Sequence, residues 1–295
     1  MNDRLLALTD GVRLTPVQRR IAQCLLERPG SAAALSSNEV AALAEVSQPS
    51  VTRFAMALGF DGYPALRRAL RTEPARPGAE PAEAVAGPGQ AGGAAGDRED
   101  ADELRHALHG EIDNLARLAD RLTEGGGDRT LVAQAGKLLV DSRPLPVFGL
   151  RAGAALAGYF GYFAAKIHPD VRVLDHGGSL LLDRLEQAAS AGATAMLAIV
   201  LPRYPKEALD ALREARSAGL SVVLLTDSPI SPAAGCADVT LSASVGARLV
   251  FDLQAAPMAL AMVLLQAMCD AAPATTQARL EQFEASAARR GVFVR

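Results

Sequence analysis

The sequence predicts two folded units in one chain: an all-α helix-turn-helix domain, then a three-layer αβα domain on a parallel sheet. Three observations carry that expectation. Residues 14–72 hold four helical segments joined by short connections. Residues 73–96, EPARPGAEPAEAVAGPGQAGGAAG, collapse to Pro, Gly, Ala and Glu. With no apolar periodicity to bury, that stretch has the composition of a disordered linker. From Thr130 onward, short apolar runs alternate with helical segments of about ten residues or more, the signature of a parallel sheet covered on both faces. Domains are therefore expected at 1–72 and 97–295, with 73–96 between them.

The elements follow in order. Thr15 is an N-cap ahead of Pro16, a favoured helix start. That helix runs to about Glu27, with Ile21, Cys24 and Leu25 on one face. Ser37 is expected to cap a helix over 38–44. Glu45-Val46-Ser47 makes a tight connection to a third helix over 48–58, which Gly59 ends. Residues 63–71 form the fourth. Beyond the linker, 97–123 reads as a helix with Leu104, Leu108, Ile112, Leu115, Leu118 and Leu122 at three- and four-residue spacings. Strands are expected at 145–148, 171–174, 195–201, 221–225 and 239–241. Helices are expected at 131–140, 152–167, 180–191 and 206–218. The apolar helix 255–268, with Met258, Met262, Leu265 and Met268, suits either core packing or a dimer face.

Composition narrows the class. The 295 residues are 49% hydrophobic and 21% charged, ample for two globular cores. Aromatics are only 4% and Trp is absent, so the cores must be Ala, Leu and Val. The net charge of −3 hides an asymmetry: residues 1–72 carry nine Arg, no Lys and six Asp or Glu. That basic excess permits DNA binding. Cys24, Cys236 and Cys269 are far apart and form no CxxC pair, which argues against a zinc ribbon or a redox motif. The first residues lack an apolar signal core, and the most apolar stretch is shorter than the ~20 residues of a membrane span. A cytoplasmic protein with no membrane partner, no metal and no cofactor is expected.

The segment SSNEVAALAEVSQPSVTRFAMALGF carries the N-terminal signal. Val40, Leu43, Val46, Val51 and Leu58 lie where two helices crossing at a short turn would share a core. Ala42 is small where those helices would approach. Ser47 would cap the third helix and leave Gln48, Pro49, Ser50, Thr52 and Arg53 on its exposed first turns. In a helix-turn-helix that end enters the major groove. Gln pairs with adenine, Arg with guanine or phosphate, Ser and Thr with base or backbone. The bland alternative is a helical protein-interaction domain with a solvated face. Residues 14–70 resemble the N-terminal domain of the RpiR family of transcription regulators. The resemblance rests on the helix after Thr15-Pro16, on A-x-x-A-x-V-S-x-x-S-V-x-R-F from Ala41 to Phe54, and on L-G-F-x-G-Y-x-x-L-R from Leu58 to Arg67. It implies a double-stranded DNA operator as partner.

Four turns follow expected strands and precede helices: 149–153, 175–179, 202–206 and 226–229. In an open parallel sheet ligands bind outside the carboxyl ends of the strands, where helix N-termini offer free N–H groups. The candidate ligand residues there are Gly149, Arg151, His176, Arg203, Tyr204, Lys206 and Thr226. Their cations favour a small anionic metabolite. Against each stands a plain reading: a surface histidine at 176, solvated cations at 203 and 206, and glycines at 149 and 153 that merely serve a tight turn. The stretches VFGLRAGAALAGYFGYF and SAGLSVVLLTDSPISPAAGCADVTL resemble a sugar isomerase (SIS) domain over about residues 130–270. That resemblance implies a site for phosphosugars or related carbohydrate derivatives. Two departures stand out. The first turn lacks the family's serine, and the third strand ends in Leu201-Pro202-Arg203-Tyr204-Pro205-Lys206 in place of a Ser-Gly hydroxyl loop. The alternatives are a regulator that no longer binds ligand, or a phosphosugar isomerase drawing a base from Glu207, His168, His176 or Asp227. No catalytic residue is assigned. A two-fold operator calls for a homodimer or tetramer.

Overall fold

The computed structural model describes residues 2–9, 12, 14–27, 35–70, 96–123, 127–247 and 249–294. The expected linker lies outside the described residues, except Gly96, which opens a helix. The chain divides into two compact units, Met1–Asp100 and Ala101–Arg295.

The first unit is all helical: α1 (Asn2–Thr9), α2 (Pro16–Leu26), α3 (Ser37–Leu43), α4 (Gln48–Ala57) and α5 (Tyr63–Leu70). α1 is an addition to the sequence reading. Thr15 caps α2 as expected, in a capping box with Gln18: the Gln18 N–H donates to the Thr15 hydroxyl, and the Thr15 N–H donates to the Gln18 amide oxygen. α3 has the same device, but its cap is Ser36, one residue before the serine expected. Glu39 explains the choice. As third residue of the helix it accepts the Ser36 N–H at 2.7 Å while its own N–H reaches the Ser36 hydroxyl. Those bonds hold the Glu39 carboxyl below its ordinary range. Ile21, Leu25, Val40, Val51, Phe54, Tyr63 and Leu66 close the core. Two core expectations fail. Ala42 faces solvent and Leu43 is 43% exposed, because α3 buries Val40, Ala41 and Ala44 instead. Val46 and Leu58 are half-buried.

The second unit takes in α6 (Gly96–Thr123) from Ala101 onward and then α7 (Gly127–Asp141). It continues as β1 (Leu145–Gly149), α8 (Ala152–Ile167), β2 (Val171–Leu174), α9 (Ser179–Ser190), β3 (Ala195–Val200), α10 (Lys206–Ser217), β4 (Ser221–Thr226) and β5 (Val239–Ser242). α11 (Ala255–Ala271) and α12 (Pro273–Arg290) close it, and α12 is a second addition. The strands pair in the order β2-β1-β3-β4-β5, all parallel.

The central strands are mostly apolar because both their faces are covered. On β3, Leu197 and Ile199 pack with α7, α8 and α11 residues, whereas Met196, Ala198 and Val200 pack with α9 and α10 residues. α11 is core: Leu260, Ala261, Leu264, Leu265 and Met268 are buried within the chain, and Met258 faces outward. α6 is anchored at its far end. Leu118 joins the core, the Glu111 carboxylate accepts the Ala256 N–H at 3.1 Å, and Arg121 donates to the Ser242 carbonyl at 2.6 Å. Leu104, Leu108 and Ile112 stay exposed. Among the described residues no single helix is long and apolar enough to cross a membrane.

Candidate functional sites

The first site is the N-terminal end of α4. The structure gathers the five expected residues into one polar patch. The Ser47 and Ser50 hydroxyls lie 2.9 Å apart, and Arg53 donates to the Ser50 hydroxyl. The Gln48 amide donates to Thr52, and also to Ser37 on α3, which ties the two helices together. Gln48, Pro49 and Arg53 are exposed, and Ser50 and Thr52 are half-buried. Ser47 takes the N-cap position, yet its side chain makes no capping bond. With no acidic residue in the first turn, α4 presents its partial positive charge outward beside Arg53.

The second site follows from sheet order. β1 and β3 are neighbours, but α8 leaves β1 for one face of the sheet while α10 leaves β3 for the other. The strand order therefore reverses between them, the kind of switch point at which open α/β sheets place a ligand crevice outside the carboxyl ends. Arg151 stands on one side of it and Arg203 on the other. Both are exposed, and both have a positive φ, 55° and 63°. Such backbone costs a side-chain-bearing residue on the order of 1 kcal/mol or more. Neither guanidinium has a hydrogen bond or ion pair among the described residues.

The turn glycines act differently from expectation. The left-handed position of the first turn falls on Arg151, not on Gly149 or Gly153. Gly153 instead allows close approach: a Cβ there would sit 2.5 Å from the Ile199 carbonyl oxygen. Gly149 is fixed in the same way by Gly153 behind it.

The other candidates are engaged. The Tyr204 hydroxyl donates to the Asp227 carboxylate at 2.8 Å. The Thr226 hydroxyl, fully buried, donates to the Val200 carbonyl at 2.7 Å and so ties β4 to β3. Lys206 folds along its own helix to Asp210. His176 pairs with Asp175, its side chain 77% exposed. The Glu207 carboxylate crosses to α9 and accepts the Gly178 N–H. His168 lies at the amino end of β2, only 1% exposed, away from the crevice. Of the residues offered for isomerase chemistry, His168 lies apart at the opposite end of the sheet, while His176, Glu207 and Asp227 all follow the carboxyl ends of strands. Asp227 as the Tyr204 partner and Glu207 as the Gly178 partner escaped the sequence reading, since each bond joins residues 23 or more apart.

A helix-turn-helix followed by an α/β domain is an architecture found among transcription regulators. Residues 9–77 match the family model described as the helix-turn-helix domain of the rpiR family. The HTH-type transcriptional regulator HexR of Pseudomonas aeruginosa is 26% identical over 235 residues, 77% of this chain and 75% of the relative. The HTH-type regulator YfhH of Escherichia coli is 46% identical over 57 residues, 19% of this chain and 20% of its own. The sugar isomerase domain of an RpiR transcription factor from Sphaerobacter thermophilus superposes with a TM-score of 0.53 at 22% identity, covering 61% of this chain and 96% of that one. The Vibrio vulnificus NanR protein, solved in complex with ManNAc-6P, superposes with a TM-score of 0.52 at 17% identity, covering 97% and 98%. These two likenesses establish the SIS fold of the C-terminal domain.

Proposed function

We propose that this chain is a cytoplasmic, DNA-binding transcription regulator whose SIS-fold domain binds a small anionic metabolite, a phosphosugar or related carbohydrate derivative. Residues 1–72 form the DNA-reading domain and 97–295 the sensor. Ser47, Gln48, Ser50, Thr52 and Arg53 face the operator, and the chain acts as a homodimer or tetramer, matching two-fold operator symmetry.

One observation carries the sensor reading. Two unpaired arginines flank the β1/β3 switch point, each held in a backbone conformation that costs folding energy. Glycine would adopt either conformation without that cost. Strain kept beside a cleft, with the charge unspent, fits a group reserved for a ligand. The phosphosugar bound by NanR has the chemistry such a pair would recognise. In this reading the Tyr204 hydroxyl, held by Asp227, contacts the uncharged part of the ligand.

Thermal unfolding of the full chain against phosphorylated sugars, sugar acids and inorganic anions tests this. A ligand at 100 times its dissociation constant adds about 2.7 kcal/mol. The shift is expected to vanish in Arg203→Ala and in Arg151→Ala. Stability unchanged by every compound would sink the sensor reading and leave a ligand-blind regulator.

A further inference from the structure

We infer that Glu207 determines which anions the crevice accepts, by standing at the N-terminus of α9 as an internal anion. The inference builds on the sensor reading above and adds a specificity-determining residue to it. α9 begins without a side-chain cap and without an acidic residue in its first turn. Its N-cap is Gly178, at φ 83°. The charge missing there comes from a residue 29 positions away, since the Gly178 N–H donates to the Glu207 carboxylate. Gly177 makes the approach possible, for a Cβ at that position would meet both Glu207 oxygens at 2.5 Å.

Glu207 could have served its own helix. It lies in the first turn of α10, where an acid complements the dipole. Its carboxylate instead bridges two loops. Because β1 lies between β2 and β3, the bond from α10 to the β2–α9 loop crosses the carboxyl end of β1, the strand that leads into Arg151. Of the helix N-termini at this end of the sheet, α9 is therefore already occupied by negative charge. A ligand phosphate or carboxylate meets repulsion there and attraction at Arg151 and Arg203. Glu207 thus confines the ligand's charge to the β1/β3 side and disfavours a second anionic group reaching α9.

The test uses the full chain with inorganic phosphate as probe. Phosphate-dependent thermal unfolding is compared for the natural chain, Glu207→Ala, Glu207→Gln, and the double variant Glu207→Ala with Arg203→Ala. Glu207→Ala opens α9 and is expected to bind phosphate about tenfold more tightly than the natural chain. The glutamine variant keeps an acceptor for Gly178 without the charge and falls between the two. Hydrogen exchange at residues 178–181 should speed up at least tenfold in Glu207→Ala and slow again with phosphate. The double variant separates this inference from the arginine reading: it still responds to phosphate if α9 has been opened, although the loss of Arg203 alone is expected to abolish the response of the natural chain. A response in Glu207→Ala no stronger than in the natural chain, none in either included, overturns the inference. Unchanged exchange at 178–181 overturns it as well.

Discussion

His168 shows how much a single side chain can reveal. It is buried at the amino end of β2, where its Nδ1 accepts the Asp170 N–H. Burial first, then the nearby Arg143 and Arg279 cations, push the imidazole below its ordinary value of 6.5. The folded chain holds it neutral, whereas the unfolded chain takes up a proton below that pH. Its contribution to stability is therefore whole above about pH 6.5 and is lost as pH falls toward the folded value. Asp170, held low by Arg172, acts in a separate window below its ordinary 3.8. The urea midpoint should drop between pH 7.5 and 5.5, and His168→Gln should flatten that drop. At this scale the sequence is readable where a residue's role is local. The Thr15 cap and its Pro16 need only neighbours, and Thr15→Ala should cost about 1 kcal/mol in chemical denaturation. Ser36 was missed in favour of Ser37 because adjacent serines are equivalent until the position of Glu39 is counted. The positive φ of Arg151 and Arg203 left no sign in the sequence, since arginine is not the residue such backbone favours.

Among the elements, legibility follows hydrophobic density. β3 and β4 announce themselves as unbroken apolar runs because both faces are buried. α12 escaped because it buries little, only Thr276 and Ala287 fully, so its apolar residues are sparse. α3 was read as a helix with a misplaced face. On a helix of seven residues, the choice between Ala41 and Ala42 is a rotation of about 100°, and few contacts decide it. The α8–β3 contact gives a sharp test. Gly153→Ala puts a methyl against the Ile199 carbonyl and should cost roughly 1–3 kcal/mol, read as a lower unfolding temperature. α4 gives another. Arg53→Ala should weaken operator binding by about 1–3 kcal/mol while leaving thermal unfolding nearly unchanged, since its guanidinium reaches only Ser50 at 3.4 Å.

For the whole molecule, the sequence spoke through contrast between segments: a basic head, a Pro/Gly/Ala stretch, an alternating α/β body. The switch point could be placed from strand order alone, but the side-chain bonds around it could not. Glu207 and Asp227 act through bonds that only the folded sheet brings about. DNA binding by the full chain should weaken with salt, the logarithm of affinity falling linearly with that of salt concentration. If Arg53 holds a phosphate, its loss should lower that slope by about one. The backbone of Arg151 has a consequence of another kind. A φ of 55° with ψ of −119° is a glycine conformation, so Arg151→Gly should unfold at a higher temperature than the natural chain. A laboratory selecting this protein for heat resistance would then be rewarded for discarding an arginine of the proposed sensor site, so that robustness and responsiveness would compete at one residue.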